Sequence, residues 1–149
     1  MLDVEVTTRE GRQPLPKAAI VALVRTALRR VGIRHASVSI AFVSDVVMRR
    51  LNRSYRKRDA VTDVLSFAPD RMIHTHTQEL GDVVLAPEVL KTRASGDRNK
   101  EREEAIRLLS HGLLHLLGYD HATSVQERRM FAFQERVVRD LCDASLKDI

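Results

Sequence analysis

Hydrophobic and polar residues alternate in short stretches of this chain, and such alternation is typical of a β-strand with one buried face. The clearest example is residues 37–43, in which Val38, Ile40 and Phe42 fall on the same side. Residues 2–8 alternate in the same way, and residues 62–68 and 81–87 form two further strand-like runs. The polar residues 69–80 between the last two runs predict a loop.

Apolar residues at helical spacing, together with residues that favour helix ends, predict five helices in the rest of the chain. The first opens at Pro14 and Pro16 and stops at Gly32, and the second runs from a cap at Ser44 to about Tyr55. The other helices are predicted at roughly residues 87–95, 100–117 and 122–143, the last capped by Thr123 or Ser124. The helix at 100–117 ends at Gly118 and has a predicted buried stripe of Ile106, Leu109, Leu113, Leu116 and Leu117.

These elements predict a single α+β domain over residues 1–149. About four strands would form a small mixed sheet, covered by about five helices. The helix at 100–117 is expected to be central. The chain of 149 residues is long enough to bury a real core.

The composition is that of a water-soluble protein, with 44% hydrophobic and 30% charged residues. No apolar run approaches the roughly 20 residues that span a bilayer. The acidic N-terminal run "MLDVEVTTRE" lacks an apolar segment, so a signal peptide is not expected. The single cysteine, Cys142, cannot form an internal disulfide and suits a reducing cytosol. A cytoplasmic location is therefore expected, with no membrane partner.

The charge favours an anionic partner. The net charge is +5 and the isoelectric point is near 9.9. Most of the basic residues are arginines, whose planar guanidinium matches a phosphate group. The segment "RRLNRSYRKR", residues 49–58, concentrates six bases around Tyr55. Most of them fit the solvated face of a helix, but Arg56 precedes the strand "TDVLSF" and is best placed to reach a substrate phosphate.

The stretch "SHGLLHLLGYDH" places His111, His115 and His121 at metal-ligand spacing. Four helical residues turn the chain by about 400°, so the first two imidazoles lie stacked on one helix face. Gly118 permits a sharp turn, after which His121 can return as a third ligand. Three protein ligands would leave a fourth zinc position open, as in catalytic sites. The trio therefore predicts one zinc ion per chain.

Gly112 occupies the position at which a metzincin protease keeps its glutamate base. Because glycine cannot transfer a proton, a peptidase is disfavoured. The glycine itself has two open interpretations: close packing of the helix on the sheet, or room beside the metal for a charged substrate group. The remaining histidines, His35, His74 and His76, are expected on the surface.

The run "HGLLHLLGYDH" resembles the signature of the YbeY family, bacterial endoribonucleases that mature ribosomal RNA. The segments "LNRSYRKRDAVTDVLSF", "GDVVLAP" and "ERRMFAFQERVV" resemble the family in the same order, so the likeness extends over most of the chain from about residue 38. The family's α+β fold agrees with the predicted elements. Where the family usually has a glycine and a proline, this chain has Lys57 and Val61, and the loop between them is expected to be less constrained.

The resemblance implies a role for particular residues. His111, His115 and His121 would ligate zinc, and His111 matches a functionally critical histidine of the family. Arg56 matches the essential arginine of an N-x-x-[YF]-R pattern that begins here at Asn52. Asp82 matches an acidic position that could orient a ligand, although a simple strand-end aspartate is an equal alternative. The candidate RNA-binding bases are Arg49, Arg53, Lys57 and Arg58.

Taken together, the sequence predicts a zinc-dependent endoribonuclease that prefers single strands and acts on ribosomal RNA at the 3′ end of the small-subunit (16S) species, with a role in ribosome quality control. Zinc and Arg56 would hold the scissile phosphate, with either water or the RNA 2′-hydroxyl as nucleophile. A monomer that associates with ribosomal subunits is expected. Two alternatives stay open: a ribosome-assembly factor in which zinc only stabilises the fold and RNA is bound without cleavage, and a disfavoured metzincin-like peptidase.

Overall fold

The computed structural model of the protein describes residues 1–69, 78–120 and 122–147, with side chains described as far as residue 141. Within these ranges the chain forms, in order, β1 (Leu2–Arg9), α1 (Lys17–Arg30), β2 (Ala36–Val43), α2 (Asp45–Arg56), β3 (Val64–Phe67), β4 (Gln78–Leu85), α3 (Pro87–Arg93), α4 (Arg98–Leu116) and α5 (Ser124–Lys147). The predicted α+β class is confirmed, as are the five helices and the four strands. No helix in the described ranges is long and apolar enough to cross a membrane.

The strands form one mixed sheet in the order β1-β2-β4-β3. Strands β1, β2 and β4 run parallel, whereas β3 pairs antiparallel with β4 at the edge of the sheet. Parallel neighbours need a crossover connection, and α1 supplies the one between β1 and β2. The predicted mixed sheet is therefore confirmed.

Each face of the sheet is covered by different helices. The alternating residues Val38, Ile40 and Phe42 of β2 join Val83 of β4 in the main core, which is completed by apolar residues of α1, α4 and α5. The opposite face carries a smaller cluster, in which Met48 of α2 packs with Val43, Leu65, Val84 and Ala86. The edge strand β3 consequently lies between α4 on one face and α2 on the other.

Helix α4 is the central helix that the sequence predicts. Its Ile106, Leu109 and Leu113 are buried as expected, and it contacts the sheet as well as α1, α3 and α5. Leu116 and Leu117 pack against the main core but are only half-buried, and Leu116 borders an open cleft. The predicted stripe is thus correct for its first three members and overstated at the end of the helix.

The start of β4 differs from the prediction. The strand begins at Gln78, so assigning residues 78–80 to a loop was wrong. Leu80 is buried and is the extra residue of a β-bulge, since Ser37 pairs with Glu79 while the next residue of β2 pairs with Gly81. Gly81 has φ +119°, a conformation that favours glycine. The bulge interrupts the two-residue alternation, and this explains why the sequence pattern missed the strand start.

Polar side chains cap the N-terminal ends of the last two helices. The Asp97 carboxylate accepts hydrogen bonds from the backbone N–H groups of Asn99 and Lys100 at the start of α4. The Thr123 hydroxyl accepts from the Gln126 N–H, and the Gln126 side chain accepts from the Thr123 N–H. This reciprocal pair is a capping box, so Thr123 rather than Ser124 caps α5.

Candidate active site

An open cleft of about 1380 Å³ runs along the edge strand β3, between α2 and the C-terminal end of α4. Residues from both helices and from two strands line it, although they are far apart in sequence. The lining includes five residues that the sequence singles out by their chemistry: Arg56, Arg58, Asp82, His111 and His115. The cleft therefore brings the arginine segment and the histidine motif together.

His111 and His115 lie on successive turns of α4, and both side chains are half-buried. Their ring centroids are 4.6 Å apart, and the ring planes cross at 81°. The two Nε2 atoms approach to 3.1 Å. Two histidine nitrogens bound to one tetrahedral zinc, each at about 2.0–2.1 Å, would lie about 3.3 Å apart. The pair therefore has the separation of two ligands of one ion.

Gln134 of α5 holds the other side of the His111 ring. Its side-chain oxygen lies 3.1 Å from His111 Nδ1. An imidazole that donates from Nδ1 carries its lone pair on Nε2, the atom that points toward His115. Histidines that bind metals usually donate their second N–H in this way. The sequence motif did not indicate Gln134, because the residue belongs to another helix, and no local spacing links the two positions.

Gly112 allows α4 to approach the sheet closely. A Cβ at this position would lie 2.7 Å from Val83 Cγ1 and 3.0 Å from Ser66 Oγ. The Ser66 hydroxyl donates to the Gly112 carbonyl at 3.0 Å. Of the two interpretations that the sequence left open, the structure supports close packing. A side chain at residue 112 would point at the sheet, so this helix position does not offer a catalytic base to the cleft.

Arg56 is the last residue of α2, and its side chain reaches across to β3. The guanidinium Nη2 donates to the Ser66 carbonyl at 2.7 Å, and its Cζ lies 5.8 Å from the centre of the Phe67 ring. The arginine is exposed. Because Ser66 also bonds to Gly112, one short strand connects the arginine to the histidine helix.

The turn after Arg56 connects α2 to the loop that leads into β3. Lys57 adopts a left-handed conformation, with φ 59° and ψ 28°, which glycine adopts more readily than residues that carry a Cβ. Asn52 is 5% exposed, and its side-chain amide donates to the Ala60 carbonyl at 2.9 Å. The buried asparagine thus ties the end of α2 to the loop that leads into β3.

The candidate RNA-binding bases do not all face the cleft. Arg58 lines it, whereas Arg49, Arg53 and Lys57 are exposed outside its lining. The Arg49 guanidinium binds the Asp59 carboxylate through hydrogen bonds of 2.8 and 3.2 Å. The hydrogen bond from Arg49 lowers the pKa of Asp59. Arg49 is therefore engaged within the protein by Asp59, and neither residue is part of the cleft lining.

Asp82 also lines the cleft, on the α2 face of the sheet, where it lies between Ser39 of β2 and Phe67 of β3. Burial raises the pKa of Asp82, the negative charges of Glu79 and Glu5 raise it further, and a hydrogen bond from Ser39 opposes them. The immediate neighbours of this carboxyl are strand residues. A role in orienting a histidine stays a hypothesis.

Three of the histidines, His74, His76 and His121, lie outside the described residues. Across residues 1–69, 78–120 and 122–147 there is no group of three or more His, Cys, Asp or Glu side chains that could hold a metal ion. The predicted site is accordingly represented by two of its three ligands. His35 is exposed, as predicted, and contacts the N-terminal amine.

The fold and the cleft together define a class: a small α+β domain with a pair of histidines on its central helix and an arginine in the same cleft. The model of the family described as endoribonuclease YbeY matches residues 5–142. The chain belongs to this family. The family, the fold and the class of enzyme that the sequence predicts are thereby confirmed.

Individual relatives agree along nearly the whole chain. The endoribonuclease YbeY of Persephonella marina is 36% identical over 133 residues, which cover 88% of this chain and 87% of that protein. The endoribonuclease YbeY of Salinispora tropica is 34% identical over 149 residues, covering 92% and 94%. The solution structure of TM1509 from Thermotoga maritima superimposes with a TM-score of 0.67 at 23% identity, over 97% of this chain and 93% of that one. This last likeness concerns the fold.

Proposed function

We propose that this protein is a zinc-dependent endoribonuclease that cleaves single-stranded segments of ribosomal RNA. One observation carries the proposal: in a chain of this family, two histidine Nε2 atoms converge at 3.1 Å in the same cleft as Arg56. The net charge of +5 favours the polyanionic substrate. The finer proposal is maturation of the 3′ end of small-subunit (16S) rRNA and quality control of ribosomes, carried out by a cytoplasmic monomer that associates with ribosomal subunits.

His111, His115 and His121 would hold the zinc ion, which supplies a Lewis acid for a phosphate oxygen or for a water molecule. Gln134 keeps Nε2 of His111 directed at the site by accepting from Nδ1. A leucine or alanine at residue 134 would leave that N–H without this partner. The contact with Gln134 therefore favours the His111 tautomer that would bind a metal ion through Nε2.

Arg56 would hold the scissile phosphate. Its guanidinium has five N–H donors, and the bond to the Ser66 carbonyl orients the group while leaving donors for a ligand. Phosphoryl transfer depends largely on positioning and on charge stabilisation, which an oriented arginine provides. Arg58 adds a second cation to the same wall.

The attacking oxygen belongs to water or to the RNA 2′-hydroxyl, and the products distinguish the two. Attack by the 2′-hydroxyl on the adjacent phosphorus forms a 2′,3′-cyclic phosphate and releases the 5′-oxygen as a hydroxyl. Attack by water gives a linear phosphate end instead. Chemical analysis of the new RNA ends therefore decides the nucleophile.

The test is cleavage of a labelled rRNA precursor by the purified protein, with and without a zinc chelator. Arg56→Ala should reduce the rate by roughly 10³–10⁵, the value of an arginine that stabilises a transferring phosphoryl group. Because the side chain is exposed, the same change should cost under about 1 kcal/mol of stability. Arg56→Lys should stay impaired, since it keeps the charge without the planar pair of donors.

Arg50→Ala is the matched control, because Arg50 is an exposed arginine of the same helix outside the cleft lining. It should cleave at nearly the parent rate. Parent-like cleavage by Arg56→Ala would remove Arg56 from the catalytic site. Tight binding of rRNA by the parent protein without any cleavage would favour the assembly-factor alternative.

A further inference from the structure

An exposed aromatic residue forms part of the cleft wall. Tyr55 is 66% exposed, although large aromatic side chains usually bury most of their surface. Its ring meets the Phe67 ring edge-on, with centroids 5.1 Å apart and planes at 62°. Both rings line the cleft. Tyr55 therefore presents most of its apolar surface to whatever occupies the cleft, and Phe67 supports the ring from one side.

The two rings lie directly beside the proposed phosphate-binding group. Tyr55 and Arg56 are consecutive at the end of α2, and the Arg56 guanidinium lies over the ring of Phe67. Val61, which is 40% exposed, extends the apolar wall on the same cleft. A flat apolar surface next to a cation is the arrangement that a nucleotide needs, because its base is flat and apolar and its phosphate is anionic.

We propose that Tyr55, supported by Phe67, is a stacking platform for an unpaired base adjacent to the scissile phosphate. This inference rests on the proposed function and names a substrate subsite within it. A base must leave its own helix before it can stack on a protein ring, so the platform gives the enzyme its preference for single strands. Stacking on an aromatic face tolerates any base, and sequence selectivity at this subsite should be weak.

A purely structural role for Tyr55 is the competing explanation. It predicts that the ring matters for folding and for every substrate alike. The high exposure of Tyr55 disfavours it, since a side chain that keeps two-thirds of its surface in water contributes little to the core.

The experiment compares intact single-stranded RNA with RNA that carries one abasic nucleotide, scanned through the positions next to the cleavage site. Tyr55→Ala should lower kcat/KM on intact RNA by roughly tenfold to a hundredfold, the loss of one stacked base. At one abasic position the parent enzyme should become equally slow, and Tyr55→Ala should have no further effect there. Tyr55→Phe and Tyr55→Trp should keep the parent rate on intact RNA.

Phe131→Ala is the matched control, because Phe131 is a similarly exposed aromatic residue, at 60%, on α5 and outside the cleft lining. Its kinetics should equal those of the parent. If Tyr55→Ala slows intact and abasic RNA by the same factor at every position, the platform is wrong. A thermal melt of each variant shows whether the comparison is between folded proteins.

A second readout separates this inference from the proposed function. RNA with 2-aminopurine at the selected position should lose fluorescence when bound by the parent protein and regain it with Tyr55→Ala, whether or not cleavage occurs. Quenching without cleavage would support the platform and overturn the proposed activity. Cleavage with unquenched 2-aminopurine at all flanking positions would support the activity and overturn the platform.

Discussion

The two walls of the cleft are built in different ways. The histidine wall belongs to α4, which is packed against the sheet so closely that residue 112 has no room for a Cβ. The arginine wall is the exposed end of α2, which is held by single hydrogen bonds from Asn52 to Ala60 and from Arg56 to Ser66. The comparison teaches that core packing sets the proposed metal ligands, whereas a few polar contacts, one of them from the buried Asn52, position the groups proposed to bind substrate.

This difference in construction suits the different function proposed for each wall. Metal ligands must keep a fixed separation, and a packed interior resists movement. Groups that bind a flexible RNA strand must stay accessible to solvent. Substitutions on the arginine wall should therefore change activity without changing stability, and substitutions on the histidine wall should change metal binding, stability or both.

The largest expected effect on the histidine wall is loss of the metal. His115→Ala removes one of two converging Nε2 donors, and a site left with too few ligands should not retain zinc. Elemental analysis of the purified variant should show far less than one zinc per chain. One zinc ion per chain in His115→Ala would exclude the predicted histidine site as the zinc site. Loss of zinc from a variant that keeps its melting temperature would indicate a catalytic rather than a structural ion.

The next effect concerns the residue behind the ligand. Gln134→Leu removes the acceptor for His111 Nδ1, and loss of such a partner typically weakens metal binding by roughly 10–100-fold. Competition with a zinc chelator would measure the change in Kd. Arg136→Leu, an exposed substitution on the same helix, is the control and should bind zinc like the parent. Equal affinities in both variants would show that Gln134 does not position His111.

The close approach of α4 to the sheet predicts an overpacking effect of intermediate size. Gly112→Ala improves helix propensity, yet its Cβ would meet Val83 Cγ1 at 2.7 Å. We expect net destabilisation of about 1–3 kcal/mol, measured by denaturant unfolding. The double variant with Val83→Ala should lose less unfolding free energy than the two single variants lose together, because the smaller side chain relieves the clash. Additive effects would mean that the contact with Val83 is not limiting.

The smallest effect is on the pH dependence of stability at the α2 face. The pKa of Asp82 is raised in the folded protein, mainly by burial, so folding favours its protonated form. The stabilisation that Asp82 contributes is fully present below its pKa in the unfolded chain. It is lost as the pH rises through its pKa in the folded protein. At neutral pH the ionised carboxylate is unfavourable, and Asp82→Asn should raise Tm slightly. The gain should disappear at the acidic end of a pH series; a gain independent of pH would assign it to another cause.

Local patterns predicted most of the secondary structure. Helix spacing and strand alternation depend on neighbours within a few residues, and these neighbours are visible in the sequence. The prediction was wrong at residues 78–80, where the extra residue Leu80 shifts the alternation. A bulge is stabilised by the partner strand, and no local rule places it.

The candidate site also has some features that local sequence predicts and others that depend on distant residues. Helical spacing alone placed His111 and His115 on one face of α4, because backbone hydrogen bonds fix the rotation per residue. Comparison with the metzincin motif drew attention to Gly112, but it did not decide between close packing and space for a substrate. The contact with Val83 decided that, and Val83 belongs to a distant strand.

The sequence by itself determined the α+β composition, the family and the facing histidine pair, since each depends on local spacing or on a specific motif. Only the tertiary structure decided that Arg56 and Tyr55 share the cleft with those histidines, that Gln134 supports the His111 ring, and that Arg49 is bound to Asp59. These contacts join elements that meet for two reasons. The edge strand β3 lies between α2 and α4, and α5 packs against α4. Which faces meet depends on burying apolar surface over the whole chain, and that choice is not written in any short stretch of it.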